Sequence, residues 1–186
     1  MARWQADTEG RLKLAAIELF GSRGFEAVTV SDIAAAVGVT ERTFFRYFTD
    51  KREVLFTNQD DYQARFLDAL LASEATAPMS LVEAALHGGA AFFADERRSW
   101  SRARQRIVDS SAALMERESL KRSSLTDALT TALIAKGVAP VPAALAAQSG
   151  SAAFHLAFAA WIADDETRSF TELLDVVLAD LHRLLG

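Results

Sequence analysis

The densest recognition chemistry in this chain lies in the stretch TERTFFRYFTDK, from Thr40 to Lys51. Thr40, Glu41, Arg42 and Thr43 place two hydroxyls, a carboxylate and a guanidinium on four consecutive residues. If Phe44 and Phe48 (i, i+4) face inward, then Phe45 and Tyr47 join those four on the outward side. Such a set makes and reads hydrogen bonds. A short helix that is polar at its start and preceded by a Gly-centred turn suits insertion into a DNA major groove.

Bond-making chemistry has no comparable constellation. Cysteine is absent, which excludes disulfides, thiol catalysis and Cys-ligated zinc. His87, His155 and His182 lack metal-ligand spacing, so no metal and no cofactor are expected. Nucleophile-elbow, zincin and phosphate-loop motifs are missing. Ser149-Gly150-Ser151 sits in an Ala-rich helical stretch with no strand before it. The chain is not expected to be an enzyme.

The elements that must hold the polar set are legible. Leu12, Ala16, Leu19 and Phe20 mark one stripe of a helix that begins near Asp7 or Thr8 and stops at Gly24. Phe25 and Val28 are expected to pack under the helix-turn-helix. Thr29 with Asp32 reads as a capping box opening a second helix, whose apolar face is Ile33, Ala34 and Val37. Gly38 breaks it, and Thr40 caps the third helix. Asp50 with Glu53 reads as another capping box, which predicts a long fourth helix through Leu55, Tyr62, Phe66 and Leu70 to about Ser73. After the loop SEATAPMS, helices are expected over 80–94, 98–112, 115–136, 141–163 and 167–185.

Of 186 residues, 51% are hydrophobic with only nine Gly and three Pro, which predicts a folded, soluble, all-α chain. Residues 1–55 carry eight Lys/Arg against eight Asp/Glu, so the net charge of −5 arises wholly from the remainder. Non-specific DNA affinity should then be weak, and tight binding should need two half-sites. The opening MARWQADTEGR lacks a signal-peptide core and no apolar run is long enough for a bilayer, so a cytoplasmic protein without membrane attachment is expected.

The composite pattern from about Thr8 to Phe56, with LFGSRGFEAVTV before the turn and FFRYFTDKREVL after it, resembles the DNA-binding domain of the TetR family of transcriptional regulators. The resemblance implies a three-helix helix-turn-helix domain over 1–56 and a helical ligand-binding and dimerisation domain over 57–186, about nine helices in all. By that likeness, Thr29, Val30 and Ser31 open the helix that crosses the DNA backbone, where its N–H groups can hold a phosphate. Thr40, Glu41, Arg42 and Thr43 approach base edges, with Arg42 suited to guanine and Thr43 to a thymine methyl or a phosphate. Phe45 suits a thymine methyl or a sugar, and Tyr47 and Lys51 match positions that bind phosphate. Arg42 pairing only with Glu41 or solvent, and Thr40 serving only as a cap, stand as alternatives.

In the C-terminal half, the small residues of 143–163 and the wide apolar surface of the last helix predict a homodimer through the last two helices, reading a pseudo-palindromic operator in double-stranded DNA, with the ordinary core of a monomer as the alternative. Phe92, Phe93, Trp100, Met115, Phe154, Phe158 and Trp161 are candidates for an apolar effector pocket, although aromatic stripes at helical spacing are more often filled core. SRARQRIVDSSAALMERESLKRSSLTDALTTALIAKG is similar to the C-terminal domain of mycofactocin-type TetR regulators, associated with long-chain acyl-CoA-like ligands. For such a head group Arg102 and Arg106 stand out of the cluster Arg97, Arg98, Arg102, Arg104 and Arg106, unless these pair with Asp95, Glu96 and Asp109. The resemblance implies a repressor released by a small apolar or acyl-CoA-like effector. A helix-turn-helix dimer or activator with no small-molecule effector is the alternative.

Overall fold

The computed structural model describes residues 8–56 and 59–185. Among these there are nine α-helices and no strand: α1 (Thr8–Arg23), α2 (Val30–Ala36), α3 (Glu41–Phe44), α4 (Gln59–Ala72), α5 (Pro78–Ala90), α6 (Arg98–Asp109), α7 (Ala112–Ala135), α8 (Pro140–Trp161) and α9 (Phe170–Leu185). They fall into two compact units. One comprises residues up to 58 with 103–118; the other comprises 59–102 with 119–186. The all-α fold is the one the sequence predicts.

In the N-terminal unit, Leu12, Ala16 and Phe20 are buried along one side of α1. Gly24 ends the helix at φ +80°, where a side chain would be strained, and its N–H donates to the Phe20 carbonyl at 2.9 Å. Phe25 packs edge-on against Phe20 at 5.1 Å between centroids. Ile33 and Ala34 of α2 and Phe44 and Phe48 of the next turn complete an apolar floor, to which Ile107, Val108 and Leu114 contribute.

The predicted helix from Asp50 to Ser73 is interrupted. Residues Glu53–Leu55 form only a 3₁₀ turn, Phe56 leaves the helical region at φ −125°, and α4 begins at Gln59. Asp50 Oδ1 does accept from the N–H groups of Arg52 (2.7 Å) and Glu53 (3.1 Å). The Glu53 carboxylate does not return to Asp50; it accepts from Arg117 Nε at 2.8 Å. Val54, Leu55 and Phe56 are all buried. Three consecutive side chains cannot share one face of an α-helix, so burying all three breaks the helix.

The C-terminal unit packs α4, α5, α8 and α9 around one core that includes Phe66, Leu86, Phe154, Trp161 and Phe170. Helices approach closely where glycine permits it. A Cβ on Gly89 would lie 2.0 Å from the Phe66 ring, and one on Gly150 would lie 2.2 Å from Val82 Cγ1. The small residues of α8 therefore serve the interior of this unit: Ala146, Ala147, Gly150, Ala153 and Ala157 are buried. The exposed side of α8 instead carries Val141, Leu145 and Leu156, and Val176 and Leu184 are exposed on α9. A serine–glutamate capping box opens α9: Glu172 Oε2 accepts from the Ser169 N–H (2.7 Å), and the Glu172 N–H donates to Ser169 Oγ (3.3 Å). No helix among the described residues is long and apolar enough to cross a membrane.

Candidate nucleic-acid interface

Two caps define the helix-turn-helix. At α2, the Asp32 N–H donates to Thr29 Oγ1 (3.1 Å), and Asp32 Oδ2 accepts from the Thr29 N–H (2.8 Å) and hydroxyl (2.7 Å). Those bonds, led by the one from the Thr29 backbone and helped by Arg23 at 3.2 Å, hold the Asp32 carboxyl down at about 2. Gly38, at φ +72°, turns the chain after α2, and Val39 N–H returns to the Ala34 carbonyl at 3.0 Å. Arg11 of α1 donates to the Val37 carbonyl at 2.7 Å, which fixes the end of α2.

At α3, the Thr43 N–H donates to Thr40 Oγ1 at 3.2 Å and the two hydroxyls lie 3.1 Å apart. Phe44 is fully buried and Phe48 nearly so. Their burial turns the other side of α3 to solvent, so Thr40, Glu41, Arg42 and Phe45 are exposed and Thr43 and Tyr47 half-buried. Among the described residues Arg42 has no hydrogen-bond or ion-pair partner, so it does not pair with Glu41. The Arg46 guanidinium lies over the Tyr47 ring, 5.8 Å from its centroid. Thr29 and Ser31 are exposed at the start of α2, and Val30 is half-buried.

Lys51 departs from the expectation of a phosphate contact. Its ammonium donates to the carbonyls of Phe25 (2.9 Å), Val28 (3.0 Å) and Glu26 (3.4 Å) and lies over the Phe25 ring at 4.3 Å. With three donors and three carbonyls, the group ties down the turn that Thr29 then caps.

The residues singled out for a ligand divide. Phe93, Phe154, Phe158 and Trp161 meet in one cluster, which Phe66 and Phe170 complete. Phe93 stacks on Phe170 at 4.5 Å, and Phe92 joins the edge of the cluster through Tyr62 at 5.1 Å. Sequence spacing does not single out Phe170, and marks Phe66 only as one apolar position of the fourth helix. Trp100 is half-buried. Met115 is 45% exposed and belongs, with Arg106, to the N-terminal unit.

The expected basic cluster does not form as a free patch either. Arg102 donates to the carbonyls of Ile162 and Ala163, both at 2.6 Å, and pairs with Asp164 at 3.2 Å. Arg98 donates to the Glu166 and Arg168 carbonyls and pairs with Asp95 at 2.6 Å. Both arginines close the C-terminal end of α8 and the turn to α9, where unsatisfied carbonyls collect. Arg104 donates to the Leu55 carbonyl (2.8 Å) and to Glu118 (2.5 Å).

Residues 14–57 match the bacterial regulatory proteins of the tetR family. The chain is 46% identical over 63 residues (34% of its length) to the HTH-type transcriptional regulator TcmR of Streptomyces glaucescens. It is 41% identical over 54 residues (29% of its length) to a protein of Mycobacterium tuberculosis assigned as the mycofactocin biosynthesis transcriptional regulator MftR. These matches span only 28% and 27% of those two relatives. Over nearly the whole chain, the fold is that of a protein of Syntrophomonas wolfei assigned to the TetR-family regulators (TM-score 0.69, 19% identity, covering 98% of this chain and 97% of that one). It is also that of the transcriptional regulator FadR of Bacillus subtilis, solved in complex with stearoyl-CoA (TM-score 0.62, 19% identity, 92% and 96% covered). At these identities the likeness concerns the fold.

Proposed function

We propose that this chain is a homodimeric, ligand-responsive transcriptional regulator, a cytoplasmic repressor that binds a pseudo-palindromic operator through residues 1–56. One observation carries the reading: a tetR-type helix-turn-helix whose α3 is capped from below and exposes an unpartnered Arg42 beside Phe45. Thr29, Val30, Ser31 and Tyr47 contact phosphates, and Glu41, Arg42, Thr43 and Phe45 face bases. The exposed Val141, Leu145, Leu156, Val176 and Leu184 support dimerisation through α8 and α9, because an apolar surface of that kind favours a covering partner.

Residues 57–186 bind the effector, a small apolar or acyl-CoA-like molecule. The neighbour solved with stearoyl-CoA and the aromatic cluster of Phe93, Phe154, Phe158 and Trp161 support this. The rings lie in mutual contact, so an effector must part them, and its entry is coupled to a change in the packing of α4, α5, α8 and α9. Arg102 is committed to the α8–α9 turn and does not serve a head group. The same close ring packing favours a second reading, a DNA-binding dimer with no effector.

Fluorescence anisotropy on the intergenic DNA upstream of its own gene, against scrambled DNA at two salt concentrations, tests the first claim. Selective binding is expected. Equal binding to both, together with no selective site in a genome-wide search, refutes it. Stearoyl-CoA added to the complex then tests the second claim: release, with a raised melting temperature, supports an acyl effector. No release by acyl-CoAs or by a library of apolar compounds supports the effector-free reading.

A further inference from the structure

We infer that a proton-dependent clamp fastens α9 to α5: His182 of α9 holds the buried carboxylate oxygen of Glu83 firmly only when its imidazole is charged. The inference stands apart from the DNA-binding and effector readings. Glu83 Oε1 is shielded from solvent and lies 2.7 Å from His182 Nε2. Among the described residues it is the one buried side-chain polar atom with no hydrogen bond. The distance would allow one, but the imidazole is not aligned for it. A hydrogen bond weakens steeply as it bends. The attraction between an imidazolium and a carboxylate depends on separation rather than alignment. A neutral His182 therefore leaves the oxygen unsatisfied, and a charged one compensates it. Histidine ordinarily changes charge between about pH 5 and 8, so the clamp is tight at the acid end of that range and slack at the other.

A second pair lies on the same seam. His87, one turn after Glu83 on α5, places Nε2 3.4 Å from Asp175 Oδ1 of α9. Both of these side chains are exposed, so this pair contributes less. The other charged side chains described on the packed helices are engaged elsewhere or stand in water. Glu83 and His87 are the only titratable residues of α5. On α9, Glu172 accepts from Ser169, and Asp180 pairs with Arg183. On α8 the one titratable residue is His155, which is exposed. On α4, Asp61 and Asp68 are exposed and Arg65 lies over the Phe92 ring. Because α9 also carries Phe170 of the ring cluster and the exposed Val176 and Leu184, the clamp acts on the helix that both the core and the apolar surface use.

The test compares thermal unfolding of the full-length wild type, His182→Gln and Glu83→Gln at about pH 5.5 and about pH 8. The Tm advantage of the wild type over each variant should be larger at the lower pH by roughly 2–4 °C. The double variant should lose no more of this pH dependence than either single change. His87→Gln should show a smaller pH-dependent difference. An advantage over His182→Gln that is equal at both pH values, or larger at the higher one, overturns the inference. Should the variants not fold, hydrogen exchange on the wild type decides the matter. Amides of α9, corrected for intrinsic rates, should exchange about fivefold more slowly relative to those of α8 at the lower pH; an unchanged ratio overturns the clamp.

Discussion

Replacing Gly89 by alanine sets two opposed effects against each other at one atom. Gly89 lies in α5, where alanine is the better helix former by about 1 kcal/mol. Its added Cβ would meet Phe66 Cζ at 2.0 Å and both Cε atoms at 2.3 Å. Ordinary contact needs the ring to retreat by more than an ångström. Phe66 is fully buried, with Tyr62 at 4.9 Å and Phe154 at 5.1 Å between ring centroids, so the retreat displaces further rings. Overpacking of this kind costs about 1–3 kcal/mol, and a ring held on two sides places Gly89 at the upper end. The net expectation is a loss of about 1–2 kcal/mol, or roughly 2–8 °C in Tm for a chain of this size. Near-UV circular dichroism during thermal unfolding follows the ring cluster directly. Gly21→Ala is the control: no atom lies within 4 Å of its added Cβ, so it should gain up to about 1 kcal/mol. Gly89→Ala combined with Phe66→Leu should lose less than the sum of the two single changes. A Gly89→Ala protein as stable as the wild type would refute the steric argument.

Three other outcomes are expected of the same structure. Lys51→Met removes the donors to three carbonyls in the turn before α2 and should lower stability by about 1–3 kcal/mol; an unchanged denaturation midpoint would show that water replaces the ammonium there. The Asp32 carboxyl is held at about 2, below its ordinary 3.8, so its contribution is present above about pH 4 and is lost as the pH falls through 2. The Tm difference between wild type and Asp32→Asn should therefore be constant from pH 7 to 4 and shrink below that, and a difference that grows on acidification would contradict the cap's electrostatics. Leu145→Glu places a charge on the exposed side of α8, and on the proposed dimerisation analytical ultracentrifugation should report a dimer for the wild type and a monomer for the variant; a variant that stays dimeric would remove α8 from the interface.

Local signals are legible where a backbone group must be satisfied nearby. Thr29 and Asp32, Thr40, Gly24 and Gly38 each act within four residues of their own position, so the chain carries the whole interaction. Asp50 and Glu53 show the same motif failing. The backbone half of that box forms, and Arg117, 64 residues away, takes the Glu53 side chain. Lys51, Arg98 and Arg102 read as free cations because sequence spacing does not reveal carbonyls gathered at a distant turn.

The sequence by itself determined the all-α class, the stops at Gly24 and Gly38 and which residues of α3 are exposed, though not the break before Gln59, because periodicity and capping depend on residues one to four positions apart. Only tertiary structure decided which side of α8 is interior, through the contact of Gly150 with Val82. It likewise grouped residues 103–118 with the N-terminal unit. Phe66, Phe93 and Phe170 became one packed cluster only in the folded chain. Those outcomes rest on shape complementarity between segments far apart in the chain, and no periodicity within either segment encodes its fit to the other.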